Sequence, residues 1–428
     1  MNYSIPVYFT IKDNHIMKKL IISTFVLFVF VFTGKTQAQN APYAFYLTWN
    51  QDPTTSMVVD WHADGLEPQT LQIRRRGTSS WQTMESDVLP YPFSERKVHR
   101  VALLGLRPDT AYEIIFPGSE EVYYFRTMPA NLNEKSLKIA IGGDSMHRRE
   151  WFEKTNRMVS FFEPDFIIIG GDMAYENGLP ENIDRIYDWF EAYSNTLVTS
   201  DKRILPCVVA IGNHEVVGGY HSRNPGYEQT NSFRERIAPY FYRLFAFPGQ
   251  PGYNTLDFGT YLSLIILDTE HSNPIQGVQT QWLAQTLKDR KQMLHRIPIY
   301  HVPGFPSVRK YEDYTQSLVR EHWVPLFEEN GVRIAFENHD HAYKRTFPIR
   351  NLEVDQSGII YVGDGSWGVG EREIHDLDST WYLKKAQSVR AFTLLTLDGP
   401  QFSLISVDDE GRIIDTYPES PLPFQSER

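Results

Sequence analysis

The chain has 428 residues, long for one compact domain and comfortable for two. Net charge is −11, which argues against a nucleic-acid backbone as a structural partner. Cys207 is the only cysteine, so no intrachain disulfide forms, and its apolar neighbours read as those of a buried structural thiol. A small phosphorylated substrate stays open despite the acidic balance, because bound cations would dominate the local field.

In chain order, residues 1–38 read as a signal peptide. Met17-Lys18-Lys19 is a positive n-region, Leu20 to Phe32 is apolar, and Thr36-Gln37-Ala38 offers a small residue for cleavage. Met17 is a candidate start. The apolar run is shorter than the ~20 residues of a membrane span. The expectation is a secreted or periplasmic protein with no stable span after cleavage. A retained N-terminal anchor is the alternative.

Residues 40–129 carry short alternating strands with turn residues between them. Examples are Ser56 to Trp61, Leu71 to Arg74, Val98 to Leu106 and Val122 to Thr127. This spacing predicts a β-sandwich. The segment Leu106 to Tyr112 resembles the tyrosine corner of fibronectin type III-like domains, and Trp61 sits where they keep a core tryptophan. Pro129 to Lys135 is a polar connector.

Residues 136–420 have a different texture. Apolar runs at Leu137 to Ile141, Asp165 to Ile169, Leu205 to Ile211, Leu262 to Leu267, Arg296 to Tyr300 and Val332 to Phe336 predict strands. Helices are expected over 150–162 and 279–293. Three closing strands are expected at 391–397, 401–407 and 412–416. Strand–helix alternation predicts an α/β fold whose ligands gather beyond the carboxyl ends of the strands. Gly218 to Phe233 reads as a long loop near the site.

Five segments at strand ends carry the chemistry: Gly142-Gly143-Asp144, Gly171-Asp172-Met173-Ala174-Tyr175, Gly212-Asn213-His214-Glu215, His301, and Asn338-His339-Asp340-His341. Glycine before aspartate lets the backbone turn and aim a carboxylate into a cleft. Each residue alone has a plain structural reading as a turn, cap or core residue. Together they form an oxygen- and nitrogen-rich set without sulfur, sufficient for two adjacent metal ions poised for attack on phosphorus. Tyr175 lies three residues after Asp172, and a trivalent ion would deprotonate its phenol. His214 is the candidate general acid or phosphate donor. His339 and His341, two apart, are expected to share one face of a strand. His221 is a candidate substrate contact, while His271 and His295 read as surface residues.

These ordered segments resemble those of the purple acid phosphatases in the calcineurin-like metallophosphoesterase superfamily. The resemblance spans nearly the whole mature chain, since that family also carries a fibronectin-like domain before its catalytic domain. It implies a β-sandwich followed by an α/β metallophosphoesterase domain, a β-sheet sandwich flanked by helices. It also implies Fe(III) held by Asp144, Asp172, Tyr175 and His341. Asp172 would bridge to a divalent zinc, iron or manganese ion held with Asn213, His301 and His339. The substrate would contact His214 and Asn213. The implied reaction is hydrolysis of phosphomonoesters by a hydroxide bound at the metal pair. A phosphodiesterase or nucleotidase on the same core is the alternative, and a non-catalytic secreted binding protein a remote one. Three positions depart from the family pattern. Ser145-Met146 lacks the second glycine, Pro298 replaces Val, and Asn338 replaces Gly. Tyr343 and Arg345 are expected to support the loop after His341, and Gly363-Asp364-Gly365 resembles a late structural turn.

Overall fold

The computed structural model describes residues 41–363 and 365–418. The expected leader and Asp364 lie outside the described residues. No helix among those described is long and apolar enough to cross a membrane.

Two antiparallel four-stranded sheets come first. One runs Ala44–Thr48, Met57–Ala63, Lys97–Leu103, Asp87–Pro90; the other Gln82–Glu85, Thr70–Arg75, Ala111–Ile115, Tyr123–Arg126. Leu71 and Ile73 point inward while Thr70 and Gln72 face solvent, the period-two pattern of a half-buried strand. Trp61 is fully buried, donates to Gln69 Oε1 at 2.7 Å and stacks on His99. The tyrosine corner forms as expected, with the Tyr112 hydroxyl accepting the Arg107 N–H at 2.9 Å. This is a fibronectin type III-like sandwich.

Every residue of Met57–Ala63 is buried, because this sheet has a second covered face. Tyr46 packs on Phe190, and Trp49 on Phe166 and Phe258. The sandwich therefore shares one apolar core with the C-terminal part of the chain.

That C-terminal part is built on two mixed sheets. The first has six strands, ordered Cys207–Val209, Phe166–Ile169, Leu137–Gly142, Ala391–Asp398, Gln401–Asp408, Ile413–Tyr417. The second has seven, ordered Asn254–Phe258, Leu262–Ile266, His295–Ile299, Ile334–Glu337, Ile360–Gly363, Tyr343–Thr346, Leu383–Gln387. Alternation splits the second sheet between two cores. Leu264 and Ile266 join the main core, whereas Ile265 and Leu267 lie with Leu283, Leu287, Val319 and Phe327 of the covering helices. Those helices are Val278–Asp289, Tyr314–His322 and Val324–Glu329. The parallel strands of both sheets end on the same side, which brings their terminal loops together.

The expected helices appear at Arg149–Phe161 and Val278–Asp289. A third, Ile183–Thr196, was not predicted; Trp189, Phe190 and Tyr193 bury its inner face. Tyr343 and Arg345 lie in the strand Tyr343–Thr346 directly after the His341 loop, both tied to Asp415. Cys207 is buried, and burial pushes its thiol pKa up, as expected of a structural thiol.

His62, between the sandwich and the helix Ile183–Thr196, contacts the rings of Tyr46, Tyr91 and Phe190. Neither ring nitrogen has a hydrogen-bond partner among the described residues. Burial, reinforced by Arg96 and Arg100, lowers its pKa from 6.5 to about 3. The unfolded chain binds this proton near pH 6.5 and the folded chain only near pH 3, so stability is full above 6.5 and drains away toward 3. A tenfold difference in proton affinity between the two states corresponds to about 1.4 kcal/mol. His62→Phe keeps a ring in place and removes the titration. Its thermal midpoint should fall less steeply between pH 6.5 and 4 than that of wild type, and identical slopes would refute this role for His62.

Candidate metal centre

Backbone crowding sets the geometry at the strand ends. Asp144 N–H donates to Gly171 O at 3.0 Å and Ser145 N–H to Asp172 O at 2.9 Å, so the first two loops are zipped together. The Asn338 side chain lies against both, its Nδ2 donating to Tyr300 O at 3.0 Å. A Cβ on Gly143 would come within 2.6 Å of Asn338 Oδ1, and one on Gly170 would overlap Asn338 Nδ2. Asn338, standing where the family pattern has glycine, is thus accommodated by glycines on the facing loops.

Asp144, Asp172, Tyr175, His339 and His341 all adopt left-handed φ, at 53, 53, 60, 78 and 58°. This region is uncommon for non-glycine residues and costs backbone energy that tertiary contacts must offset. Glu215 supplies some of these contacts. Its buried carboxylate accepts the N–H groups of Asp172, Met173 and Gly212 at 2.8, 2.7 and 2.6 Å. Burial, followed by the charge of Asp172, raises its pKa to about 8.

The side chains form two adjoining sets. In one, Asp144 Oδ1 lies 2.9 Å from the Tyr175 hydroxyl and 3.1 Å from His341 Nε2, with the hydroxyl 3.2 Å from the same nitrogen. In the other, His301 Nε2 lies 3.1 Å from Asp172 Oδ2, 3.2 Å from Asn213 Oδ1 and 3.0 Å from His339 Nδ1. Ligand atoms of Asp144, Asp172, His301 and His339 all fall within 4.8 Å of one another. The outer nitrogens are anchored. His301 Nδ1 donates to Gly170 O at 3.0 Å and His341 Nδ1 to Gly370 O at 3.2 Å, which aims both Nε2 atoms inward.

This donor set fits a pair of cations. A single N–H on His301 Nε2 cannot serve a carboxylate, an amide oxygen and a second imidazole nitrogen together, whereas one cation among them satisfies all four. The absence of sulfur suits hard or borderline ions. The electrostatics agree. Burial alone would lower His301, but Asp172 and Asp144 outweigh it and raise its pKa to about 9. Burial alone would raise Asp172, yet His301 holds it well below the usual carboxylate range. Burial, then the charge on His301, pushes His339 well down. Burial, then Asp144 and Asp172, pushes the Tyr175 phenol well up, and a bound trivalent cation would reverse that direction.

His214 lies beside the two sets. Its backbone N–H donates to Asp172 Oδ1 at 2.7 Å, its Nδ1 bonds Asn177 Oδ1 at 2.6 Å, and its ring lies 4.3 Å from that of Tyr175. His221 is turned elsewhere, with Nε2 on the Val217 carbonyl and its ring against Phe233.

The structure corrects several expectations. His339 and His341 converge, but from a left-handed turn after Ile334–Glu337 and not from one face of a strand. His271 is not on the surface: it is buried, its ring 5.5 Å from that of His301, between Thr269 and the Gly219 carbonyl. His295 is buried on the Gly399 carbonyl. His147, by contrast, is no correction: it supports the site without joining either donor set, its ring 4.2 Å from that of Tyr175. Asn177, Arg309 and Arg372 carry no sequence signal, because nothing local marks a lone polar residue as reaching a distant site.

The family model for the purple acid phosphatase N-terminal domain matches residues 42–127, and that for calcineurin-like phosphoesterases matches 137–343. The chain belongs to the purple acid phosphatase family. It is 26% identical over 280 residues to probable purple acid phosphatase 20 of Arabidopsis thaliana, covering 64% of this chain and 61% of that protein. It is 24% identical over 291 residues to purple acid phosphatase 21 of the same plant, covering 66% and 60%. The matches thus span about three fifths of these relatives' length. Among solved structures, the purple acid phosphatase PPD1 of yellow lupin (Lupinus luteus) seeds shares the fold. Its TM-score is 0.71 at 17% identity, over 88% of this chain and 74% of that one.

Gly170→Ala should push Asn338 aside and disturb the loops that present Asp144 and Asp172. The expected result is loss of bound metal and a lower thermal midpoint. Asn338→Gly should restore part of both in the double variant, whereas additive losses would show that the two residues do not share this contact.

Proposed function

We propose that this protein hydrolyses small phosphomonoesters at a centre of two metal ions. The observation that carries this reading is the convergence of seven side chains from five strand ends into two adjoining donor sets. We assign Asp144, Tyr175 and His341 to an Fe(III) ion and Asn213, His301 and His339 to a divalent zinc, iron or manganese ion. Asp172 would belong to both sets. The phenol of Tyr175, in hydrogen-bond contact with Asp144 and His341, favours a trivalent ion in the first set. Bound there, the ions would act as Lewis acids that acidify water and neutralise phosphate oxygens.

The chain's own residues do the rest. Asn177 holds the proton on His214 Nδ1, so Nε2 is left to face substrate. When doubly protonated, His214 donates from Nε2 to the departing oxygen. Burial lowers its pKa from the ordinary imidazole value, which confines that donation to acid conditions. Asp172 receives the His214 N–H, which fixes the ring beside the proposed bridge. We place the boundary between sandwich and catalytic domain at 129–136. We read residues 1–38 as an export leader, which makes the mature protein secreted or periplasmic.

Asp172→Asn should deplete both ions. His214→Ala should keep both ions and lower turnover of p-nitrophenyl phosphate by about 100-fold, the scale of one general acid. Metal analysis beside the rate decides the role of His214: loss of metal in that variant would contradict it. Faster hydrolysis of bis(p-nitrophenyl) phosphate than of the monoester would favour the diesterase.

A further inference from the structure

A cleft of about 530 Å³ opens in the sandwich, lined from both of its sheets at the end where Thr70–Arg75 and Lys97–Leu103 finish. Ligand pockets usually fall between about 300 and 1,000 Å³. Ile73, Met84, Leu103, Leu104 and Leu106 give it an apolar floor, and Arg75 and Arg107 stand among its lining residues. Ile73 and Leu103 belong to the buried core, whereas Leu104 is 56% exposed, so apolar surface runs here from the core out to solvent. None of the lining residues belongs to either donor set of the metal centre.

Tyr112 ties the two arginines to this mouth. It is the register partner of Arg75, and its hydroxyl accepts the Arg107 N–H at 2.9 Å. Thr78 holds the Arg75 carbonyl through its N–H at 3.1 Å and its hydroxyl at 2.7 Å, and Thr127 Oγ1 donates to the Arg107 carbonyl at 2.6 Å. Arg75 shares the phase of Leu71 and Ile73, which face the core. A charge in that phase can guard a free sheet edge, but the strand Thr70–Arg75 has a neighbour on either side. Among the described residues neither guanidinium makes an ion pair or a side-chain hydrogen bond. The nearby acids are already taken. Arg74 and Arg76 both reach Glu113, at 2.6 and 3.7 Å, and Asp109 holds Arg126 and Lys135, each at 3.0 Å. In a chain of net charge −11, Arg75 and Arg107 are thus unneutralised cations beside apolar surface.

An apolar floor with guanidinium forks at its rim selects a ligand with an apolar body and an anionic end. The planar fork matches the two oxygens of a carboxylate. We propose that the sandwich mouth binds a small amphipathic carboxylate of the medium-chain fatty-acid class, its chain on Ile73, Met84, Leu103 and Leu104 and its carboxylate on Arg75 and Arg107. The site rests on sandwich residues alone and stands apart from the phosphoesterase reading.

The test is calorimetric titration of the metal-loaded full chain with three probes. These are octanoate, 1-octanol, which keeps the body without the charge, and acetate, which keeps the charge without the body. Wild type should bind one octanoate per chain, about tenfold or more tightly than either other probe, the scale of a charge-assisted hydrogen bond and of several buried methylenes. Arg75 and Arg107 are exposed, so Arg75→Gln and Arg107→Gln should keep the wild-type thermal midpoint and turnover of p-nitrophenyl phosphate. Each should weaken octanoate about tenfold and octanol much less. Leu104→Asp, also at an exposed position, should weaken octanoate and octanol together. Equal affinity of wild type for octanoate and octanol overturns the proposal, as does a wild type that binds no octanoate. Octanoate binding left intact by both Gln variants overturns it too, because the carboxylate would then sit elsewhere, the metal centre included.

Discussion

Two carboxylates buried at adjoining strand ends, Asp144 and Asp172, set the terms for the rest of this fold. Removing them from water is expensive unless opposite charge and hydrogen bonds compensate. The protein supplies part of that compensation from its own atoms: the His339 and His214 N–H groups, the Tyr175 hydroxyl, and the imidazoles of His301 and His341. The remaining lone pairs point at one another, which is the arrangement a pair of cations relieves.

Bringing those carboxylates together demands close backbone approach, and this explains much of the surrounding sequence. Gly143 and Gly170 leave room for Asn338, and a Cβ at Gly365 would meet Asp144 Oδ2 at 2.7 Å. Left-handed turns at five of the converging residues bend side chains inward that an extended strand would send to alternate faces. Glu215 acts beneath them as an acceptor for three N–H groups from two loops, so a residue next to His214 organises the site without facing it. The sandwich joins this arrangement only at a distance, through the shared core at Tyr46, Trp49 and His62.

Much of this was legible in the sequence because it is local. An apolar run followed by Gly-Asp announces a strand end with a carboxylate, and two such endings beside three that carry Asn or His announce a cleft. The tyrosine corner is local too, with Arg107 and Tyr112 five residues apart. The parts that were not legible depend on contacts distant in sequence. The spacing of His339 and His341 suggested a strand, because spacing says nothing about φ. His271 and His295 looked like surface polar residues, since only the folded chain provides the carbonyls of Gly219 and Gly399 that satisfy them. Arg309 and Arg372 lie outside every motif, and only the folded chain brings them onto His339 and the His341 carbonyl.

The most direct test of two ions on these residues is metal analysis joined to a visible absorption spectrum of one purified, metal-supplemented sample. Two ions per chain, one of them iron, with a broad mid-visible band that disappears in Tyr175→Phe, is the expected result. Two zinc or manganese ions without colour would contradict the ferric assignment to Tyr175 and leave the paired site standing. Fewer than one ion per chain would contradict the metal centre itself.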